Sequence, residues 1–240
     1  MSIKIKKNNN KFGITYGKLL SSKWILKPDY DEIIFLDDNY YRIKKGELFG
    51  IAVTIEDSAK IAIDPLYANI NRADTNFYRI MDQNGKYGIT HCGKILIRPV
   101  YDKLERKGWF YYITEKDNKL GFIHVDDKKA AILLENEYDE VDFLDDNYYK
   151  ARKGGKFGIF YVYFNTIKWL SDIIYDKVEK LDKNIYKIFT DNKCGLVKTD
   201  YGELKKLSDI AYDDVRALDF NEYECLSDGK KKVSILKIKD

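Results

Sequence analysis

Between Leu48 and Lys86 the apolar positions come in short runs, LFGIAVT, KIAIDP, YANINR and FYRIMD. They are split by EDSA, by a break around Pro65-Leu66, by ADTN and by QNGK. Runs this short, rich in β-branched and aromatic side chains and closed off by Gly, Pro, Asn and Asp, predict four short strands with turns between them. No stretch of the chain sustains the period of an amphipathic helix. The pattern predicts an all-β protein.

The pattern is also periodic. Gly13, Gly50, Gly88, Gly121, Gly158 and Gly195 recur at intervals of 37, 38, 33, 37 and 37, each followed by an apolar residue. A second ladder, Tyr30, Tyr67, Tyr101, Tyr138, Tyr175 and Tyr212, is spaced 37, 34, 37, 37 and 37, and all but Tyr67 are followed by Asp. Eleven residues after each comes another tyrosine: Tyr41, Tyr78, Tyr112, Tyr149, Tyr186 and Tyr223. Twelve of the 20 tyrosines therefore sit on two ladders with a constant offset. Such self-similarity is the signature of a repeat architecture. It predicts six tandem units of about 37 residues over 11–229, in one β-repeat domain. An interior-strand Gly at a fixed place predicts a bulge or a close backbone approach. Tyrosines common to every unit predict structural stacking between repeats.

The unit resembles the WG repeat, also called the KWG repeat, of bacterial proteins. The resemblance rests on KFGI…KPDYD in unit one, LFGI…DPLYA in unit two and KYGI…RPVYD in unit three. Units four to six drop the proline (NEYD, DIIYD, DIAYD), and none keeps Trp before the Gly. The resemblance implies a β-repeat scaffold whose surfaces vary from member to member.

The ends bear on the architecture. Lys4 in IKIKK stands nine residues before Gly13, as Tyr41 does before Gly50, so residues 1–10 read as the last strand of a preceding unit. KKKVSILKIKD reads as the first strand of a following one, so 230–240 form a second cap. Two half-unit caps predict an open solenoid or superhelical array, since terminal repeats must shield the core edges. A six-bladed β-propeller is the alternative.

Composition narrows the class. With 45% hydrophobic and 34% charged residues, the 240-residue chain can bury a core. No apolar run is long enough to span a bilayer, and the N-terminus lacks the apolar stretch of a secretory signal. Three cysteines, Cys92, Cys194 and Cys225, make no disulfide framework and suit a reducing cytoplasm. A net charge of +3 is too mild to announce nucleic-acid binding.

Candidate chemistry is thin. FLDDNYY occurs at 35–41 and again at 143–149, and its paired carboxylates invite a metal or catalytic reading. The other units carry RADTNFY, RKGWFYY, KLDKNIY and ALDFNEY at the same place, which predicts a tight turn instead. His91, Cys92 and His124 are too few, and wrongly spaced, for a structural zinc site. On an alternating strand Cys92 would point away from His91, which disfavours a nucleophile pair. GGKFG at 154–158 lacks the Lys-Ser/Thr and helix of a phosphate loop. No cofactor, metal or enzyme activity is expected.

Departures from the repeat are where scaffold demands do not explain the residues. The interval Gly88 to Tyr101 is 13, against 17 in the other units, and the following turn reads ERKGWFYY, with Trp109, Phe110 and Tyr111. Arg72, Arg79, Arg98 and Arg106 cluster in units two and three. Unit five packs Phe160, Tyr161, Tyr163 and Phe164 into FYVYFNTIKW. Arg beside aromatics is what binding hot spots favour. The expected function is a non-enzymatic interaction protein that binds another macromolecule, a protein first, through the Arg/aromatic surface of units two and three. Nucleic-acid binding, or inhibition of a nucleic-acid-handling complex, is the alternative, since the same side chains suit single strands.

Overall fold

The computed structural model describes residues 2–18, 21–108, 110–219, 222–227 and 231–237. Those residues form seven antiparallel sheets and no helix. Strands β1 (Ser2–Asn8), β2 (Lys11–Lys18) and β3 (Ser21–Tyr30) make the first sheet. The second holds β4 (Glu32–Asp37), β5 (Tyr40–Lys45), β6 (Leu48–Ile55) and β7 (Ser58–Tyr67). The third holds β8 (Asn69–Asp74), β9 (Phe77–Met81), β10 (Tyr87–His91) and β11 (Lys94–Tyr101). In the fourth stand β12 (Lys103–Arg106), β13 (Tyr111–Lys116), β14 (Lys119–Val125) and β15 (Ala130–Tyr138). The fifth comprises β16 (Glu140–Asp145), β17 (Tyr148–Lys153), β18 (Lys156–Tyr163) and β19 (Thr166–Trp169). In the sixth are β20 (Lys177–Asp182), β21 (Ile185–Thr190), β22 (Lys193–Asp200) and β23 (Glu203–Lys206). The last has β24 (Asp214–Asp219), β25 (Glu222–Ser227) and β26 (Lys231–Lys237).

The unit read from the sequence therefore straddles two sheets. Its first two strands, β6 and β7 in unit two, close one meander, and its last two, β8 and β9, open the next. β1 pairs with β2 at Lys4↔Thr15, the place that Tyr41↔Ala52 holds in the second sheet. β26 stands beside β25 as β6 does beside β5.

The ladder glycines sit where two strands come too close for a side chain. Phe12 pairs with Tyr30 and Ile14 with Leu26, so one residue, Gly13, faces a three-residue bulge containing Pro28. The same geometry recurs between Phe49↔Tyr67 and Ile51↔Ile63, and between Tyr87↔Tyr101 and Ile89↔Ile97. A Cβ on Gly13 would stand 2.5 Å from the Leu26 carbonyl oxygen. Pro is tolerated at a bulge because no ladder N–H is needed there. In the fifth and sixth sheets, which lack the proline, Ser171 and Ser208 hydroxyls accept the N–H of Ile159 at 3.0 Å and of Leu196 at 2.9 Å. At the FLDDNYY turns Asp38 and Asp146 have φ of 43° and 44°, a left-handed conformation that Asp accepts more readily than most residues.

The chain forms two compact units, Met1–Leu104 with Val125–Ala130, and Glu105–His124 with Ala131–Asp240. Within each, successive sheets share a core. In the first unit Ile14, Tyr30, Ile33, Tyr41, Ile43 and Ala52 form one cluster, and Ile51, Ile63, Ile70, Tyr78 and Ile80 another. In the second, the fifth sheet buries both faces: Tyr149, Phe160 and Val162 on one side, Tyr148, Phe157 and Ile159 on the other. All six tyrosines of the second ladder are buried, three of them completely.

Polar stitches join one sheet to the next. The lysine two residues before the ladder Gly pairs with the Asp of YD: Lys11–Asp31, Lys119–Asp139 and Lys193–Asp213 at 2.5 Å each, and likewise Lys86–Asp102 and Lys156–Asp176. The other oxygen of Asp31 accepts the Gly46 N–H at 2.8 Å, and that of Asp176 the Asp191 N–H at 2.8 Å. The lysine lowers the pKa of Asp31, Asp139 and Asp176, with these backbone donors helping.

Candidate interaction surface

The first aspartate of the FLDDNYY turn is structural. Asp37, only 7% exposed, accepts the Tyr78 hydroxyl, the Asn76 N–H at 3.0 Å and the Arg72 Nε at 3.0 Å, all from the third sheet. Its counterpart Asp145 pairs with Lys180 at 2.7 Å, and Asp182 accepts the Tyr223 hydroxyl at 3.2 Å.

Two of the expected arginines have partners within the repeat. Arg72 occupies the place of Lys180, so its guanidinium belongs to the sheet-to-sheet stitch. Arg79 follows a ladder tyrosine; its Nη1 donates to the Leu104 carbonyl at 3.4 Å and its guanidinium lies 5.2 Å over the Tyr87 ring. Arg42 does the same one sheet earlier, donating to Ile70 at 3.3 Å and covering Phe49 at 4.9 Å. Both Arg72 and Arg79 are tied into the repeat by these contacts while remaining exposed. Arg98 is exposed, in the bulge opposite Gly88 and away from the β10–β11 turn.

One correction concerns Phe160. It is fully buried, its ring 5.5 Å from Tyr149 and 5.2 Å from Trp169, so it is core and not contact surface. Alternation along β18 explains this: Phe160 and Val162 point into one core, and Tyr161 leans on the other. β18 ends at Tyr163, and Phe164 lies in the turn.

What remains gathers at one end of the second unit, where the turns β12–β13, β16–β17, β18–β19 and β22–β23 lie. Arg106 Nε donates to the Gly108 carbonyl at 2.8 Å, fixing the β12–β13 turn. Trp109 lies outside the described residues. Phe110 is exposed, 5.9 Å from the His124 ring, and Tyr111 stacks on Phe122 at 5.7 Å. The Tyr111 hydroxyl donates 2.9 Å to the carbonyl of Phe164. Tyr163 and Phe164 are 60% and 67% exposed, with rings 4.6 Å apart. One sheet on, Tyr201 is 98% exposed at the equivalent tip. Phe164, Tyr201 and the other tips Glu56 and Cys92 have φ of 51°, 44°, 51° and 48°. For a bulky aromatic that conformation is costly.

Clefts open between these elements among the described residues. In the first unit, about 600 Å3 is lined by Asn39, Tyr40, Lys60, Cys92 and Lys94, and about 450 Å3 by Tyr16, Lys18, Lys23 and Asp57. In the second unit, Arg106, Lys107, Tyr111, Asp142 and Phe143 line about 690 Å3. Tyr148, Tyr161, Asn184, Asp200 and Tyr201 line about 630 Å3. Asp146 and Asn147, the second FLDDNYY turn, border both of the latter.

The two histidines have partners of their own, His124 in the second unit and His91 in the first. His124 is buried against Phe110 and Tyr111. His91 Nδ1 lies 3.0 Å from the Asp127 carbonyl, and its Nε2 lies 3.4 Å from Cys92 Sγ. The two neighbours meet because Cys92 occupies the turn, where strand alternation no longer applies. Among the described residues no three His, Cys, Asp or Glu side chains gather to hold a metal ion.

Sequence reasoning missed Tyr201, Phe143 and Asp146. The available signal was positional: Phe164 and Tyr201 each stand six residues after a ladder Gly, where unit two has Glu56.

Among solved structures, apo AztD from Citrobacter koseri is 10% identical, with a TM-score of 0.33 over 98% of this chain and 78% of that one. PorZ, a surface component of the type-IX secretion system of Porphyromonas gingivalis, is 14% identical, with a TM-score of 0.31 over 88% of this chain. The chain spans only 33% of PorZ. The computationally designed Ika8 protein is 13% identical, with a TM-score of 0.31 over 94% of this chain and 77% of that one. No curated protein matches the sequence. The family model of the WG containing repeat matches residues 21–49. That stretch runs from β3 through the first FLDDNYY turn into β6, and the chain's other units are similar to it in pattern.

Proposed function

We propose that this chain is a non-enzymatic interaction module that binds another protein through the aromatic turn surface of its second unit. The Arg106 cleft flanks that surface. Phe164 is the observation that carries the reading: a phenylalanine 67% exposed at a φ of 51°. The fold does not require an aromatic there, since Glu56 fills the same position in the second sheet. Rigid exposed Tyr, Phe and Arg side chains are the composition from which binding hot spots are made. The reading moves the contact from units two and three, as expected from the sequence, toward units three to five. Arg106, Phe110, Tyr111, Tyr161 and Tyr163 keep their candidacy. The three unpaired cysteines suit work in a reducing cytoplasm.

Capture from host lysate, with and without nuclease, tests the proposal. The wild-type chain is compared with Tyr163→Ser/Phe164→Asn, in which Asn suits the left-handed turn. A protein retained by the wild type after nuclease and lost with the variant supports the reading. Equal capture by both chains overturns it, and capture that vanishes with nuclease assigns the surface to nucleic acid.

A further inference from the structure

We infer that the partner inserts a basic side chain, arginine in particular, into the cleft between the fifth and sixth sheets. The inference rests on the protein-binding reading and names the chemistry that reading leaves open. Each of the three other clefts described above has lysine or arginine in its lining: Lys60 and Lys94, Lys18 and Lys23, and Arg106 and Lys107. This one has none. Its walls are three tyrosines, two carboxylates and two amides.

The rings are held in place. Tyr148 and Tyr161 stand 5.0 Å apart, and the Tyr148 hydroxyl accepts the Gly202 N–H at 2.8 Å. A Cβ on Gly202 would come within 3.1 Å of the Tyr161 ring, so that ring lies against the bare backbone of the Tyr201 turn. The nearby cations already have partners: Lys205 pairs with the cleft's own Asp200 at 2.6 Å, Lys180 with Asp145 at 2.7 Å, and Lys168 donates to the Gly202 carbonyl at 3.1 Å, which leaves Asp146 as the lining carboxylate for a ligand. Among the described residues, Asp146 is in no ion pair.

An independent observation points the same way. The side-chain oxygen of Asn184, a residue of the lining, is buried and accepts no hydrogen bond from the described residues. A buried acceptor without a donor is costly, and a ligand that brings N–H groups satisfies it. Aromatic faces, a carboxylate and an orphan acceptor together ask for a planar cation with several donors. A guanidinium supplies five in a fixed fork and stacks on tyrosine. A phosphate or carboxylate ligand would meet like charge.

The probe is a blocked Gly-Arg-Gly peptide, with a citrulline peptide as its uncharged twin, titrated into the full chain and followed by NMR of the tyrosine rings. Saturable shifts of the Tyr148, Tyr161 and Tyr201 signals are expected with the arginine peptide. Citrulline should bind about tenfold more weakly, and Asp146→Asn should lose several-fold for arginine alone. Asn keeps the left-handed turn, so that variant folds. Equal binding of both peptides, or no saturable shift, overturns the inference. If the captured partner survives Asp146→Asn and Tyr201→Ala but not Phe164→Asn, protein binding stands and the basic side chain falls.

Discussion

The hydroxyl of Tyr78 donates to the carboxylate of Asp37, 41 residues earlier and one sheet back. The same carboxylate takes the Asn76 N–H and the Arg72 guanidinium, so three donors from one sheet converge on a single side chain of another. Asp38, its neighbour in FLDDNYY, is exposed and accepts the Asn76 side-chain N–H at 2.7 Å.

Two adjacent aspartates should therefore behave differently. Asp37→Ala leaves a buried phenol and a backbone N–H unsatisfied and should cost about 2–4 kcal/mol. Asp38→Asn keeps both the turn conformation and a hydrogen-bonding group and should stay within about 0.5 kcal/mol. Urea unfolding of the two variants decides it. Equal losses would mean that the turn, and not the Tyr78 contact, is what Asp37 serves.

The ladders were legible because each records a demand that recurs in every sheet. A backbone carbonyl pressing on Gly13 or Gly195 forbids any side chain, and a buried tyrosine recurs at the same place in six of the sheets. What misled was local enrichment. Arg72 and Arg79 looked like a departure because lysine or another residue does their work elsewhere, as Lys180 does for Arg72. A charge's partner is invisible in the sequence when it lies 35 residues away in another sheet. Phe160 and Phe164 stand four residues apart in one aromatic run, yet one is fully buried and the other mostly exposed. The place where the strand ends separates them, and composition does not mark it.

The ladder glycines make a sharper test than the turn glycines. A Cβ on Gly195 would lie 2.6 Å from the Asp209 carbonyl and 3.1 Å from Ile210 Cα, both backbone atoms that cannot step aside. Gly195→Ala should destabilise by roughly 2–4 kcal/mol. Gly154 has φ of 61° and open space around it, so Gly154→Ala meets only the left-handed penalty, about 1 kcal/mol. Thermal unfolding should rank them in that order; the reverse order would place the close approach in error.

Buried tyrosines give the fold an alkaline limit. Burial pushes Tyr149, Tyr186 and Tyr223 up to about 12 from an ordinary 10.0, with the Asp182 carboxylate adding to the effect at Tyr223. A raised folded-state pKa contributes stability that is complete below the unfolded value and is lost as pH climbs through the folded one. Unfolding free energy should hold up to pH 10 and fall between there and 12, together with delayed tyrosinate absorbance. Tyrosinate that appears in a single step near its ordinary pKa, with the fold intact, would show that the ladder is not sealed from solvent.

Unit two offers a test by restoration. It alone has Leu48 where the other units have lysine, and Ala68 where the others have the Asp of YD. Both partners of the stitch were lost together, which is what a paired role requires: either residue alone gains nothing from the other's position. The backbone is still in place, for the Ala68 N–H donates 2.9 Å to Met81 just as Asp31 donates 2.8 Å to Lys44. Leu48→Lys and Ala68→Asp together should show a favourable coupling of about 0.2–1 kcal/mol in a double-mutant cycle, the range of exposed ion pairs. Added salt should weaken that coupling, because the pairs of this ladder stand open to water. A coupling of zero at low salt would mean that the recurring Lys and Asp are kept for their separate backbone contacts, such as Asp31 to the Gly46 N–H, and not for each other.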